Sequence, residues 1–176
     1  MADVLKTMNG AVNPESDREG KYLTFSLFGE EYGIWILRVK EIIGMILITA
    51  VPHTPPYVKG VINLRGKVIS VVDLRLKFEI EAAAYTERTC IIVVEISCTA
   101  GSVLIGIIVD SVCEVLSIKG ADIEDLPAFG SRLKTDFILG MAKMNGGVKI
   151  LLDIDKVLCS EEISCVERTA SAECRA

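Results

Sequence analysis

Gly60-Val61-Ile62-Asn63-Leu64-Arg65-Gly66-Lys67-Val68-Ile69-Ser70-Val71-Val72-Asp73-Leu74 has a counterpart later in the chain, Gly140-Met141-Ala142-Lys143-Met144-Asn145-Gly146-Gly147-Val148-Lys149-Ile150-Leu151-Leu152-Asp153-Ile154. Glycines, apolar run and closing aspartate occur in the same order, and an internal repeat of this kind decides architecture before any site is considered. The correspondence extends upstream, where Gly33-Ile34 precedes Val39-x-Glu41 as Gly106-Ile107 precedes Val112-x-Glu114. One strand plan therefore occurs twice. Units of about 65 to 75 residues bury little surface alone, so the two should lean on one another. The expected product is two small β-barrels with a groove between them.

Working outward, Leu23, Phe25 and Leu27 alternate with Thr24 and Ser26, the period of a strand with one buried face. Phe28-Gly29-Glu30-Glu31 supplies a turn, and Tyr32 to Ile43 reads as the return strand, rich in residues that suit a pleated surface. A helix over that segment is the second reading, opposed by Gly33 and the β-branched residues. Pro52-His53-Thr54-Pro55-Pro56 breaks regular structure, and Tyr57 to Gly60 allows a short turn before Val61. Arg65-Gly66 marks a hairpin tip. Val68 to Val72 reads as a strand buried on both faces, Ala82 to Arg88 as a polar connection, and Thr89–Val94 and Ser102–Val109 as further strands. Residues 1–19 have the composition of a disordered terminus, and the segment after Leu158, residues 159–176, is expected to hold a closing helix and a frayed tail.

Lys and Arg number 19 against 24 Asp and Glu, a net charge of −5, with 51% hydrophobic residues. Such a chain folds, and it lacks the basic patch on which nucleic-acid affinity depends. The N-terminus shows no basic region leading into an apolar stretch, and the longest uncharged run, Ile42 to Val58, carries three prolines. Neither a secretory signal nor membrane insertion is expected, and the protein should be cytoplasmic. The six cysteines form no C-x-x-C pair and His53 is remote from them, so no metal is expected and the thiols read as reduced.

Catalytic chemistry finds little to work with. His53 is the only histidine and sits among prolines, where an exposed loop residue is the simpler reading than a general base. Asp73 and Asp153 fall at matching strand ends, where hydrogen bonds to turn backbone are expected rather than a carboxylate pair. Gly66-Lys67 lacks the phosphate-loop spacing and is followed by Val68 instead of Ser or Thr. No cofactor is expected.

Phe28-x-x-x-Tyr32-Gly33-Ile34, Val39-Lys40-Glu41-Ile42 and, above all, Pro55 through Arg75 closely resemble the CheW family of bacterial chemotaxis coupling proteins. Weaker matches run through Gly106 to Val112 and Gly140 to Ile154, so the resemblance covers about Tyr22 to Leu158. It implies an all-β fold with short helices: two SH3-like five-stranded β-barrel subdomains that exchange flanking segments within a domain spanning 20–158, with a groove between them and a C-terminal helix. It also implies a noncatalytic adaptor joining chemoreceptor cytoplasmic tips to the regulatory domain of the histidine kinase CheA, recruited to membrane-associated receptor arrays. By matching position, Val39, Glu41, Ile42, Gly60, Arg65 and Val112 would be receptor-side residues. Kinase-side residues are unassigned.

Taken alone, Val39 and Ile42 read as core residues of a strand whose Glu41 faces solvent, and Arg65 as a solvated turn residue. Given the resemblance, a guanidinium at an exposed tip suits forked bonding to a partner carboxylate. Trp35 and Ser70 depart from the family pattern, and Trp35 either fills a barrel or enlarges an outer apolar patch. Two rival readings remain: a coupling-type regulatory module of another two-component complex, and a small β-barrel enzyme or ligand-binding protein using Asp73, Asp110 and Asp153.

Overall fold

The computed structural model describes residues 18–98, 101–127, 136–144 and 147–158. Most of the expected disordered N-terminus and the expected C-terminal helix and tail lie outside these residues. Within the former span, Arg18 donates to Asp125 Oδ1 at 2.7 Å, and Glu19 accepts from the Gly120 amide at 3.0 Å.

The first half begins with a hairpin of β1 (Gly20–Leu27) and β2 (Glu30–Trp35). Its tip, Phe28-Gly29, has φ of 52° and 78°, the paired left-handed conformations whose twist matches that of flanking strands. A 3-10 turn over Ile36–Arg38 leads to β3 (Val39–Gly44), and then follow β4 (Val58–Leu64), β5 (Lys67–Asp73) and the short helix α1 (Leu74–Lys77). The second half repeats this plan with β6 (Cys90–Cys98), β7 (Gly101–Val109), β8 (Ser111–Ile118), β9 (Ile123–Glu124), β10 (Ile138–Met144), β11 (Gly147–Leu152) and α2 (Ile154–Leu158).

Two expectations need correction. The return strand from Tyr32 to Ile43 is not continuous: β2 stays paired with β1 only as far as Trp35, and β3 belongs to another sheet. Of the turn expected over Tyr57 to Gly60 only Tyr57 belongs to a turn; Val58 to Gly60 already form the start of β4. A shift of register between Val58 and Gly60 lets the strand begin early, while the Tyr57 carbonyl accepts from the Asp73 amide at 2.8 Å.

The strands form a six-stranded sheet, β8-β1-β2-β11-β10-β9, and a five-stranded sheet, β3-β6-β7-β5-β4. Each takes strands from both halves. Hairpin β1–β2 joins the second half through parallel pairing of β2 with β11, and hairpin β6–β7 joins the first through parallel pairing of β7 with β5. The chain also brings the two edges of each sheet together. Beyond β3 it reaches Thr49, which bridges Val61 of the far edge strand β4; beyond β8 a 3-10 turn at Gly120–Asp122 leads into β9, which pairs with β10. This short β9 is the additional strand of the larger sheet.

Three apolar clusters follow. Ile62, Ile69, Val71, Ile91, Val93 and Ile108 pack within the five-stranded sheet, and Tyr22, Ile118, Ile123, Ala142 and Leu151 within the six-stranded one. The largest cluster draws on both sheets, with Phe25, Leu27 and Ile34 meeting Ile92, Ile105 and Ile107. The interior of the seam is therefore filled by the chain's own side chains, with partly buried residues such as Val39 and Val112 at its rim. Trp35 lies inward, its ring 4.8 Å from that of Tyr22, and Ser70 is buried.

Candidate partner-binding surface

Val39 and Val112 hold equivalent places in the two halves, and both are half-buried against the shared core. Val39 pairs with Val94 on β6 and Val112 with Phe25 on β1, and in each case the register shifts immediately afterwards. A bulge interrupts the ladder at each of these points in β3 and β8. At the second bulge, Thr24 Oγ1 donates to the Glu114 carbonyl at 2.8 Å and accepts from its amide at 3.1 Å, so a buried hydroxyl replaces the interrupted ladder.

Downstream of the first bulge, Glu41 and Ile42 point to opposite faces. Ile42 is 45% exposed, not the core residue that composition favours. Glu41 accepts from Arg65 Nη2 at 2.6 Å. Arg65 is carried by the β4–β5 tip with φ of 52°, followed by Gly66 at 84°, while Asn63 Oδ1 accepts from the Gly66 amide at 2.9 Å. This tip is the hairpin read from Arg65-Gly66. The pair borders a cleft of about 520 Å³ that also takes in Lys40, Lys67 and Glu95 above Ile69 and Val93. Lys40 lies 2.7 Å from Glu95, and its ammonium hydrogen bond holds that carboxyl below its ordinary pKa. The Glu41–Arg65 pair joins residues distant in sequence; pattern gives each residue and not their meeting.

Gly60 differs from the other positions. It is buried, with φ of 141°, and a Cβ there would meet the Thr49 carbonyl oxygen at 2.0 Å. Its place is in the contact between sheet edges.

The carboxylates of the enzyme-like reading are engaged in structure. Asp73 Oδ1 accepts from the Arg75 amide at 3.0 Å and Asp153 Oδ1 from the Asp155 amide at 3.1 Å, each capping the helix after its strand as expected. Asp110 is ion-paired with Arg75, and His53 lies exposed in its turn. Among the described residues no group of three His, Cys, Asp or Glu converges on a common point. Burial pushes the thiol pKa of both Cys90 and Cys113 up, and both are free. No described helix is long and apolar enough to cross a membrane.

The model of the CheW-like domain matches residues 21–162. A chemotaxis protein CheW of Klebsiella aerogenes is 40% identical over 152 residues, covering 86% of this chain and 89% of the relative. Protein FrzA of Myxococcus xanthus is 27% identical over 90% of this chain and 97% of its own. The crystal structure of scaffolding protein TtCheW from Thermoanaerobacter tengcongensis superposes with a TM-score of 0.71 at 34% identity, covering 82% of this chain and 95% of that one.

Proposed function

The chain belongs to the CheW-like family, and on that footing we propose that it is a noncatalytic chemotaxis adaptor, holding chemoreceptor cytoplasmic tips and the histidine kinase CheA in one complex at receptor arrays. The observation that carries this reading is the pair of equivalent valines on the seam's rim, Val39 and Val112, on the same strand as the exposed Ile42 in the case of Val39. An apolar rim bordered by charge suits the face of an amphipathic helix. Arg65, with 77% of its side chain exposed, is the residue placed to exchange its internal carboxylate for one on the partner. The engagement of Asp73, Asp110 and Asp153 in caps and an ion pair supports the absence of catalysis.

The test uses purified receptor tips and the kinase regulatory domain, separately and together. Arg65→Glu should weaken tip binding about tenfold, a loss of about 1.4 kcal/mol. An exposed ion pair contributes at most about 1 kcal/mol, so the melting temperature should fall by less than about 4 °C. Val39→Asp should lower tip affinity more than kinase affinity. Unchanged tip binding by both folded variants, or equal loss toward both partners, overturns the assignment.

A further inference from the structure

Two ion pairs staple the places where the chain crosses between sheets. At the crossing from β7 to β8, Arg75 of α1 donates Nε to Asp110 Oδ1 at 2.6 Å and Nη2 to Oδ2, which also accepts from the Phe28 amide at 3.0 Å. At the crossing from β2 to β3, Arg38 donates Nη2 to Asp155 Oδ2 of α2 at 2.6 Å, while Asp155 Oδ1 accepts from the Ser97 amide at 2.8 Å. Burial raises the Asp110 pKa, but the hydrogen bonds and charge of Arg75 with the Phe28 amide outweigh it, leaving the carboxyl below its ordinary value.

The two staples are repeats of one design with the charges reversed. Arg75 and Asp155 each stand two residues after their capping aspartates; Asp110 and Arg38 each occupy the crossing; Phe28, at the tip that follows β1, and Ser97, near the end of β6, each supply an amide from an exchanged hairpin. If a half closed upon itself, with β1–β2 lying against β3–β5, Arg75 would face Arg38. In the other half, Asp155 would face Asp110. Two first halves from different molecules would meet the same repulsion. Side-chain exposures of 15% and 30% in one staple and 35% and 25% in the other keep these charges partly out of water, where like pairs cost most.

We infer that the reversed polarity is an assembly key, directing each hairpin to the opposite half of the chain and against pairing of like halves. Opposing signs set partner choice here as charged flanking positions do between paired helices.

The full-length chain, refolded from guanidinium over a range of concentrations and resolved by size exclusion, tests the key. R75D/D110R rebuilds the first staple on the plan of the second, keeping attraction and an acceptor for the Phe28 amide, but gives both halves one polarity. It should melt close to the parent yet yield a several-fold larger oligomer fraction. R38D/R75D/D110R/D155R reverses the whole key and should return the parental monomer fraction. If R75D/D110R does not fold, the mirror variant R38D/D155R supplies the same comparison. A parental monomer fraction in the folded pair-swap overturns the inference, as does equal oligomerisation of the quadruple variant, because ordinary stapling pairs would give either result.

Discussion

Gly60 holds two sheet edges in close contact, and we propose that it serves binding through that contact without touching a partner. Its φ of 141° and the 2.0 Å approach of the Thr49 oxygen to a built Cβ mean that a methyl group must push the two sheet edges apart. Gly60→Ala should therefore cost about 1–3 kcal/mol, the usual range for backbone strain, or more where the edge bridge opens. The loss should be seen as a lower thermal midpoint, with tip binding falling in proportion. An unchanged midpoint with lost binding would make Gly60 a contact residue. Sequence exposed this glycine through its match with Gly140, but the Thr49 carbonyl comes from a loop whose course no periodicity encodes. Arg65 was easier to read, because a two-residue tip demands left-handed backbone and Gly66 supplies half of it.

Among the elements, β3 and β8 hold the rim, and their bulges decide which side chains reach it. Thr24 stabilises the second bulge by satisfying both the amide and the carbonyl of Glu114. Thr24→Val preserves shape and removes both bonds, at about 0.5–1.5 kcal/mol for each of these part-buried hydrogen bonds. Denaturant titration should record the loss, with faster amide exchange at Glu114 as its local mark. Exchange unchanged at Glu114 would show that the bulge is held by other means. Alternation revealed β1, and continuous runs of apolar, largely β-branched residues revealed β5, β6 and β7. The break between β2 and β3 was hidden, since Ile34 to Leu37 run apolar into the crossing with no proline or glycine at the turn, and burial pattern says nothing about which sheet receives the chain.

For the molecule as a whole, the shared core predicts a single folding unit. Ile62 lies inside the five-stranded sheet, whereas Trp35, the only tryptophan, reports from the six-stranded one. Ile62→Ala should cost about 2–5 kcal/mol, and the Trp35 fluorescence midpoint should move with the far-ultraviolet dichroism midpoint. A fluorescence transition that stays put while dichroism shifts would mean that the sheets unfold independently. The duplication was visible from Gly60–Leu74 against Gly140–Ile154, whereas the exchange of hairpins was not readable from the repeat, since the pattern marks a face as buried without naming its cover. That exchange also works as an evolutionary ratchet. Once each copy relies on a loaned hairpin, neither can be trimmed from the gene, and selection is left to make the two copies diverge in place.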